Sequence, residues 1–266
     1  MPGKKTVASR VACFVRALRP QVSMIRYLHT KSKEEKPLER YVATRIGPEL
    51  TVIDDDYVRI FLITGRDRAL LFDVGNPDGD LKSFVEGLTD LPVFVVLSHA
   101  HIDHVGALEQ YGLVHIHRDE EPLLRNHCPD LPVEYVEDGQ VFDLGGECVT
   151  AYHVPGHTPG GLVLYDESRK RLYAGDMLSD LTLYMYMDHC SMEDFVASMD
   201  KMLNLPFEEA ITSHGTLSIG RESAETLRRV ALGVMDQSLE IKTTHKEFTE
   251  DETAETARIG DYSMHV

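Results

Sequence analysis

Hydrophobic positions in residues 39–266 recur with two different periods. Short apolar or alternating runs predict strands: "YVATRI" and "LTVI" early on, then the longer "VRIFLIT" at Val58–Thr64. "RDRALLFDVG" reads as a turn and a strand ending at Asp73. "LKSFVEGL" (Leu81–Leu88) has helical spacing, and "VFVVL" (Val93–Leu97) is an unbroken run suited to a buried strand. "HVGALEQY" (His104–Tyr111) predicts a helix, "LVHIH" (Leu113–His117) a strand and "DEEPLLRNH" a helix. A second set of strands follows in "VEYV", "QVFDL", "CVTAYHV", "GLVLYD" and "RLYAGD". "SMEDFVASMDKML" (Ser191–Leu203) opens on a capping Ser with Asp194 three residues on, and predicts a helix. "EAITSHG" predicts a strand, "RESAETLRRVALGVMDQSLEIK" a long amphipathic helix, and the tail "TAETARIGDYSMHV" one last strand. Each half mixes strands with helices. That pattern predicts an α+β fold with two β-sheets face to face and helices on the outer faces.

The first 38 residues do not share this regularity. Residues 1–33 carry eight Lys/Arg and no Asp or Glu. Three readings stay open: a presequence-like organellar signal, a disordered basic arm, or a start-site artefact with Met24 as an alternative start. The expected domain division is therefore 1–38 as a basic segment outside the fold and 39–266 as the folded domain. The chain as a whole is −17, so residues 34–266 sum to −25. A body that acidic repels polyanions, which argues against nucleic acid as a partner. No run approaches the roughly 18 apolar residues of a membrane span. Cys13, Cys128, Cys148 and Cys190 form no C-x-x-C pair and read as small core residues of a reducing compartment. Cytoplasm is the expectation, or an organelle if the first segment is a presequence.

Candidate chemistry gathers where strands end. "SHAHIDH" (Ser98–His104) follows Val93–Leu97 and holds His99, His101, Asp103 and His104. "VPGHTPGG" carries His157, "YAGDM" carries Asp176 and "TSHGT" carries His214. Imidazole and carboxylate donors suit zinc, and the lack of thiolates disfavours soft-metal sites. His99 and His101 alternate in extended chain and can point to one side, while Asp103 and His104 come where the chain turns into a helix. Seven ligands exceed one tetrahedral zinc but match two metals, and a carboxylate can bridge them.

These motifs resemble the metallo-β-lactamase fold superfamily. "FDVG" (Phe72–Gly75), "SHAHIDH", "GHTPGG", "AGDM" and "SHG" stand in that family's order from about Tyr41 to at least His214. The resemblance implies an αββα sandwich with the site along one sheet edge, and a metallo-β-lactamase-like hydrolase domain over 39–266. It implies His99, His101 and His157 on a first metal, Asp103, His104 and His214 on a second, and Asp176 between them. It also implies that Asp73 fixes the ligand loops by hydrogen bonds; Thr158 reads as orienting its neighbour or the loop. His115 and His117 read as surface or supporting residues, and His153 as structural. "YMYMDHC" (Tyr184–Cys190) reads either as a substrate-lining loop or as core, which makes Tyr184 and Tyr186 substrate candidates.

Within that superfamily the sequence narrows the reaction. His101 stands where flavodiiron proteins usually have Glu. No arginine occupies the segment after Asp176 that persulfide dioxygenases use, and Asp176 departs from true β-lactamases. The basic glutathione-binding segment of glyoxalase II is not apparent, although its seven ligands are matched. The resulting expectation is an enzyme with two zinc ions per chain that hydrolyses a small ester, thioester or lactone. A hydroxide bridging the ions would attack, with Asp103 orienting it or carrying its proton. The alternatives are a mononuclear iron oxygenase of the persulfide dioxygenase type and a true β-lactamase.

Overall fold

A computed structural model describes residues 40–245 and 253–266. The readings made for residues 1–38 lie outside these described residues. One compact unit comprises Glu39–Lys242 and Glu255–Val266. Its first sheet has seven strands in sequence order: β1 (Tyr41–Arg45), β2 (Leu50–Asp55), β3 (Val58–Thr64), β4 (Ala69–Phe72), β5 (Val93–Val96), β6 (Val114–Ile116) and β7 (Val133–Tyr135). β1 to β4 pair antiparallel, and β4 to β7 pair parallel. The second sheet comprises β8 (Val141–Asp143), β9 (Cys148–His153), β10 (Leu162–Asp166), β11 (Arg171–Tyr173), β13 (Glu209–Ile211) and β14 (Ser218–Gly220), in the order β14-β13-β11-β10-β9-β8. Its one parallel pair is β11 with β13.

Three buried clusters account for the layering. Between the sheets lie Leu50, Val52, Phe61, Ile63 and Phe72 of the first and Val149, Ala151, Leu162 and Leu164 of the second. The other face of the first sheet packs on α1 (Leu81–Glu86) and α2 (Ile102–Val105) through Leu81, Val85 and Val105. The other face of the second packs on α4 (Met192–Leu203) and α5 (Arg221–Met235) through Phe195, Met199, Leu227 and Val230. Strand β4 is buried throughout because both its faces are covered, which is why its sequence is an unbroken apolar run. The result is the expected αββα sandwich. A further short helix, α3, spans Glu121–Leu124.

Three elements depart from the sequence reading. The helix expected over His104–Tyr111 is only α2 followed by a 3-10 turn at Leu108–Gln110. Gly106 donates its N–H to Gly75 O at 2.8 Å, so the chain is tied to another loop instead of continuing the helix. The long helix stops at Met235, because Gln237 takes a left-handed φ of 59°. The tail is two strands, Thr253–Ile259 and Tyr262–His265, reversed at Gly260 with φ 60°. Tyr262–His265 pairs parallel with the two-residue strand β12 (Leu183–Tyr184) in a small third sheet. Ser191 caps α4 by accepting from Asp194 N at 3.2 Å, as its sequence predicts.

Candidate metal centre

The four loops that carry the candidate ligands leave the C-terminal ends of β5, β9, β11 and β13. Parallel pairing of β11 with β13 sets two of these ends side by side. Leu162 N donates to Ser98 O at 2.7 Å and ties the first loop to the second sheet. All seven expected residues converge. His99, His101, His157 and Asp176 form one group, and Asp103, His104 and His214 form another, with the potential ligand atoms of each group within 4.8 Å of one another.

In the first group His101 turns Nδ1 inward, 3.1 Å from both His99 Nε2 and His157 Nε2. Asp176 Oδ2 lies 3.8 Å from His99 Nε2 and 3.7 Å from His157 Nε2. Its other oxygen, Oδ1, faces the second group, 3.3 Å from His104 Nε2 and 3.2 Å from His214 Nε2. Asp103 Oδ2 sits 3.3 Å from His214 Nε2. One carboxylate thus presents one oxygen to each group.

The outer nitrogens have partners that fix the rings. His104 Nδ1 is 2.8 Å from Asp73 Oδ2, His157 Nδ1 is 3.0 Å from Tyr184 O, and His214 Nδ1 is 2.8 Å from Tyr57 O. His99 Nδ1 lies 2.9 Å from Ser98 Oγ. With each outer N–H donated outward, the inner nitrogen keeps a lone pair for an ion. His104 Nε2 and Asp176 Oδ1 are buried and face each other at 3.3 Å, and neither meets the geometry of a hydrogen bond to another described residue. Buried polar atoms are rarely left so, and a cation between the two groups would satisfy both. The donor set therefore fits metal ions.

Electrostatics agree. Burial and the neighbouring imidazoles hold His99 and His101 well below the usual histidine range, and burial lowers His157. Burial also opposes protonation of His104 and His214, but the Asp176 and Asp103 carboxylates outweigh it and raise both. Asp176 goes the other way: burial is outweighed by His214 and His104, and its carboxyl falls well below the ordinary value. Among protein groups alone, protons on His104 and His214 supply the positive charge these acids require.

Asp73 is fully buried and sits at a left-handed φ of 66°. Its Oδ1 accepts from Ser98 N at 2.7 Å, and its Oδ2 accepts from Ser98 Oγ at 2.7 Å. A short polar side chain tolerates that backbone, and such strain tends to persist where structure over-determines it. Thr158 is buried between the ligand loops. Tyr184 has its hydroxyl buried, and its ring packs edge-on to His265 at 5.0 Å between centroids, while Tyr186 is 42% exposed.

Several supporting residues escaped the sequence reading. His189 Nε2 lies 3.1 Å from His101 Nε2, and Cys190 Sγ is 3.1 Å from His157 O. Arg59 holds the His214 loop by donating to Thr212 O at 3.1 Å and to Gly215 O. Glu120, read as part of a polar helix start, is buried and contacts both ligand loops; burial lifts its carboxyl to about 7 against its hydrogen bond from Ala100 N. These contacts join residues far apart in sequence, and only "DHC" next to "YMYM" offered a hint.

A third group, His117, Asp119 and His153, also gathers potential ligands. Its two imidazoles stack 3.6 Å apart and only 10° from parallel, so their in-plane lone pairs run side by side and do not converge on one ion. His153 Nε2 is 2.9 Å from Pro159 O, and His115 Nδ1 is 2.8 Å from Val95 O, both structural roles. Cys128, Cys148 and Cys190 are free thiols.

The sequence model of the "Metallo-beta-lactamase superfamily" matches residues 53–214, and the chain belongs to that superfamily. It is similar to "Acyl-coenzyme A thioesterase MBLAC2" of Gallus gallus, 25% identical over 55% of this chain and 66% of that protein. The Homo sapiens protein of the same name is 24% identical over 63% of this chain and 77% of its own length. An "Atrochrysone carboxyl ACP thioesterase" of Pseudocercospora fijiensis is 25% identical over 62% of this chain and 51% of that protein. Among solved structures, the metallo-beta-lactamase from Pontibacter korlensis superposes with a TM-score of 0.63 at 18% identity, covering 72% of this chain and 99% of that one. That likeness shows the fold alone. No helix among the described residues is long and apolar enough to cross a membrane.

Proposed function

We propose that this chain is a dinuclear zinc hydrolase of acyl thioesters, with residues 39–266 as its hydrolase domain. The observation that carries the reading is Asp176, whose two oxygens face two separate groups of ligands. Relatives named as thioesterases of acyl-coenzyme A and of a carrier protein support the thioester class over the oxygen ester or lactone. His99, His101 and His157 would hold one ion, Asp103, His104 and His214 the other, and Asp176 both. Two zinc ions held there would supply a hydroxide nucleophile near neutral pH and polarise the acyl carbonyl.

The chain's own groups prepare the rest. Asp73, Tyr57 O and Tyr184 O hold the outer N–H of His104, His214 and His157, which fixes the tautomers that can ligate. Asp103, beside His214 at the inner edge, is the group placed to accept and return the nucleophile's proton. Attack at the carbonyl breaks the C–S bond and releases a carboxylic acid and a thiol. Thiols ionise far more readily than alcohols, with a pKa of about 8.5 for a cysteine thiol, so C–S cleavage needs less help from the proton that Asp103 would return.

The test is turnover by zinc-loaded protein of an acyl-coenzyme A, an acyl-pantetheine, a lactone, an aryl ester and a β-lactam, with metal counted by mass spectrometry. Thioester cleavage with two zinc per chain is expected. Full metal loading with no thioester turnover would overturn the substrate class, and a single iron would overturn the hydrolase.

A further inference from the structure

We propose that Glu120 is a positioning residue that clamps together the two loops carrying His99, His101 and His157. Its Oε1 accepts from Ala100 N at 2.7 Å, and its Oε2 accepts from Gly160 N at 2.8 Å. Ala100 lies between His99 and His101, and Gly160 lies three residues beyond His157. One carboxylate therefore spans two loops that come from different sheets, with one oxygen for each.

The environment fits no other role as well. Glu120 is 1% exposed, and among the described residues no Lys, Arg or His makes an ion pair with it. A buried carboxylate without a cation is unfavourable unless hydrogen bonds hold it; these two backbone N–H groups supply them, and the Thr158 hydroxyl of the His157 loop lies beside it as well. Gly160 is shaped to the contact: a Cβ there would overlap the Glu120 backbone nitrogen, so only glycine lets the loop close on the carboxylate. Both partners are donors, so both side-chain atoms must accept. Gln at this position would set an NH2 against one of the two N–H groups. Asp would fall short by one methylene.

The clamp acts on the first group of ligands. His104 and His214 are held by Asp73, Tyr57 O and Arg59, none of which touches Glu120. Losing the clamp should therefore weaken one ion and spare the other. This rests on the reading that the seven residues bind metal.

The experiment uses the full chain as wild type, Glu120→Gln and Glu120→Ala. Stepwise zinc affinities are read by chelator competition, and thermal melting is followed in excess chelator. Expected is a loss of roughly 10–100-fold at one of two ions, with the other within about twofold. A merely structural role would lower the chelated melting temperature and leave the ratio of the two affinities unchanged, and that result overturns the proposal. So do wild-type affinities for both ions in a folded Glu120→Gln protein. A wild type that binds no zinc refutes the metal reading itself, a distinguishable outcome. If neither variant folds, amide exchange in the wild type decides: slow exchange at Ala100 and Gly160 is expected, and exchange at open-loop rates overturns the clamp.

Discussion

His104 Nδ1 and Asp73 Oδ2 lie 2.8 Å apart with both side chains fully buried. Asp73 thereby fixes which nitrogen of His104 carries a proton, leaving Nε2 to face Asp176. Asp73→Asn should preserve the shape but turn an NH2 toward His104 or lose the Ser98 contacts. A donor at that place favours the tautomer protonated on Nε2, which cannot ligate. A loss of roughly 10–100-fold in affinity for one ion is expected. Chelator competition checks it, and unchanged affinities would remove Asp73 from this role.

Asp176→Ala and His214→Ala should each lower zinc content by about one ion and cut thioester turnover steeply, because a two-ion site loses one half. Metal analysis on the same samples as the rate measurement separates lost metal from lost folding. Two ions and full rate in both variants would exclude the dinuclear assignment.

The protein stripped of metal should lose stability as pH rises above neutral. His214 ordinarily titrates at 6.5, and in the fold Asp176 and Asp103 overcome burial to lift it to about 10; His104 moves the same way. Between these values the folded chain holds a proton that the unfolded chain has released. The stabilisation is therefore fully present below about 6.5 and is lost as pH climbs to about 10. Zinc displaces the same protons, so zinc uptake near pH 8 should release them, read as a dependence of calorimetric heat on buffer ionisation. A chelated melting temperature that rises over this range would contradict the sign.

Gly106→Ala should destabilise the fold by about 1–3 kcal/mol, the usual cost of forcing atoms into a packed site. A Cβ there would overlap Pro77 N and push apart the turn after Asp73 and the end of the helix that carries Asp103 and His104. Chemical denaturation measures it. An unchanged midpoint would mean that the turn gives way freely.

Tyr186, 42% exposed, is the tyrosine of this loop open to a substrate, and Tyr186→Phe should lower kcat by roughly 10-fold with metal content unchanged if its hydroxyl donates to the developing oxyanion. Tyr184→Phe should leave kcat within about twofold, since its hydroxyl is buried and its carbonyl is what touches His157. The reverse pattern would assign the role to Tyr184.

Much of the candidate centre was legible because its candidate ligands sit a few residues after apolar strand runs. Val93–Leu97 must be buried, so "SHAHIDH" must emerge at a strand end, and the same logic delivers His157, Asp176 and His214. The backing residues had no such signal. Glu120 looks like any polar residue before a helix, and its partners lie 20 and 40 positions away. Tyr57, Arg59 and His189 are equally remote from the histidines they serve. The tail's split into two strands turned on one left-handed glycine in a strand-like run.

Local sequence determined which residues could bind metal and which strands would carry them, because hydrophobic period and ligand chemistry act over a few residues. Tertiary structure alone decided which nitrogen of each imidazole faces inward, which oxygen of Asp176 serves which group, and that Glu120 joins two loops. Those outcomes depend on hydrogen bonds between backbone and side chains brought together only when the two sheets pack, and no short-range pattern encodes them.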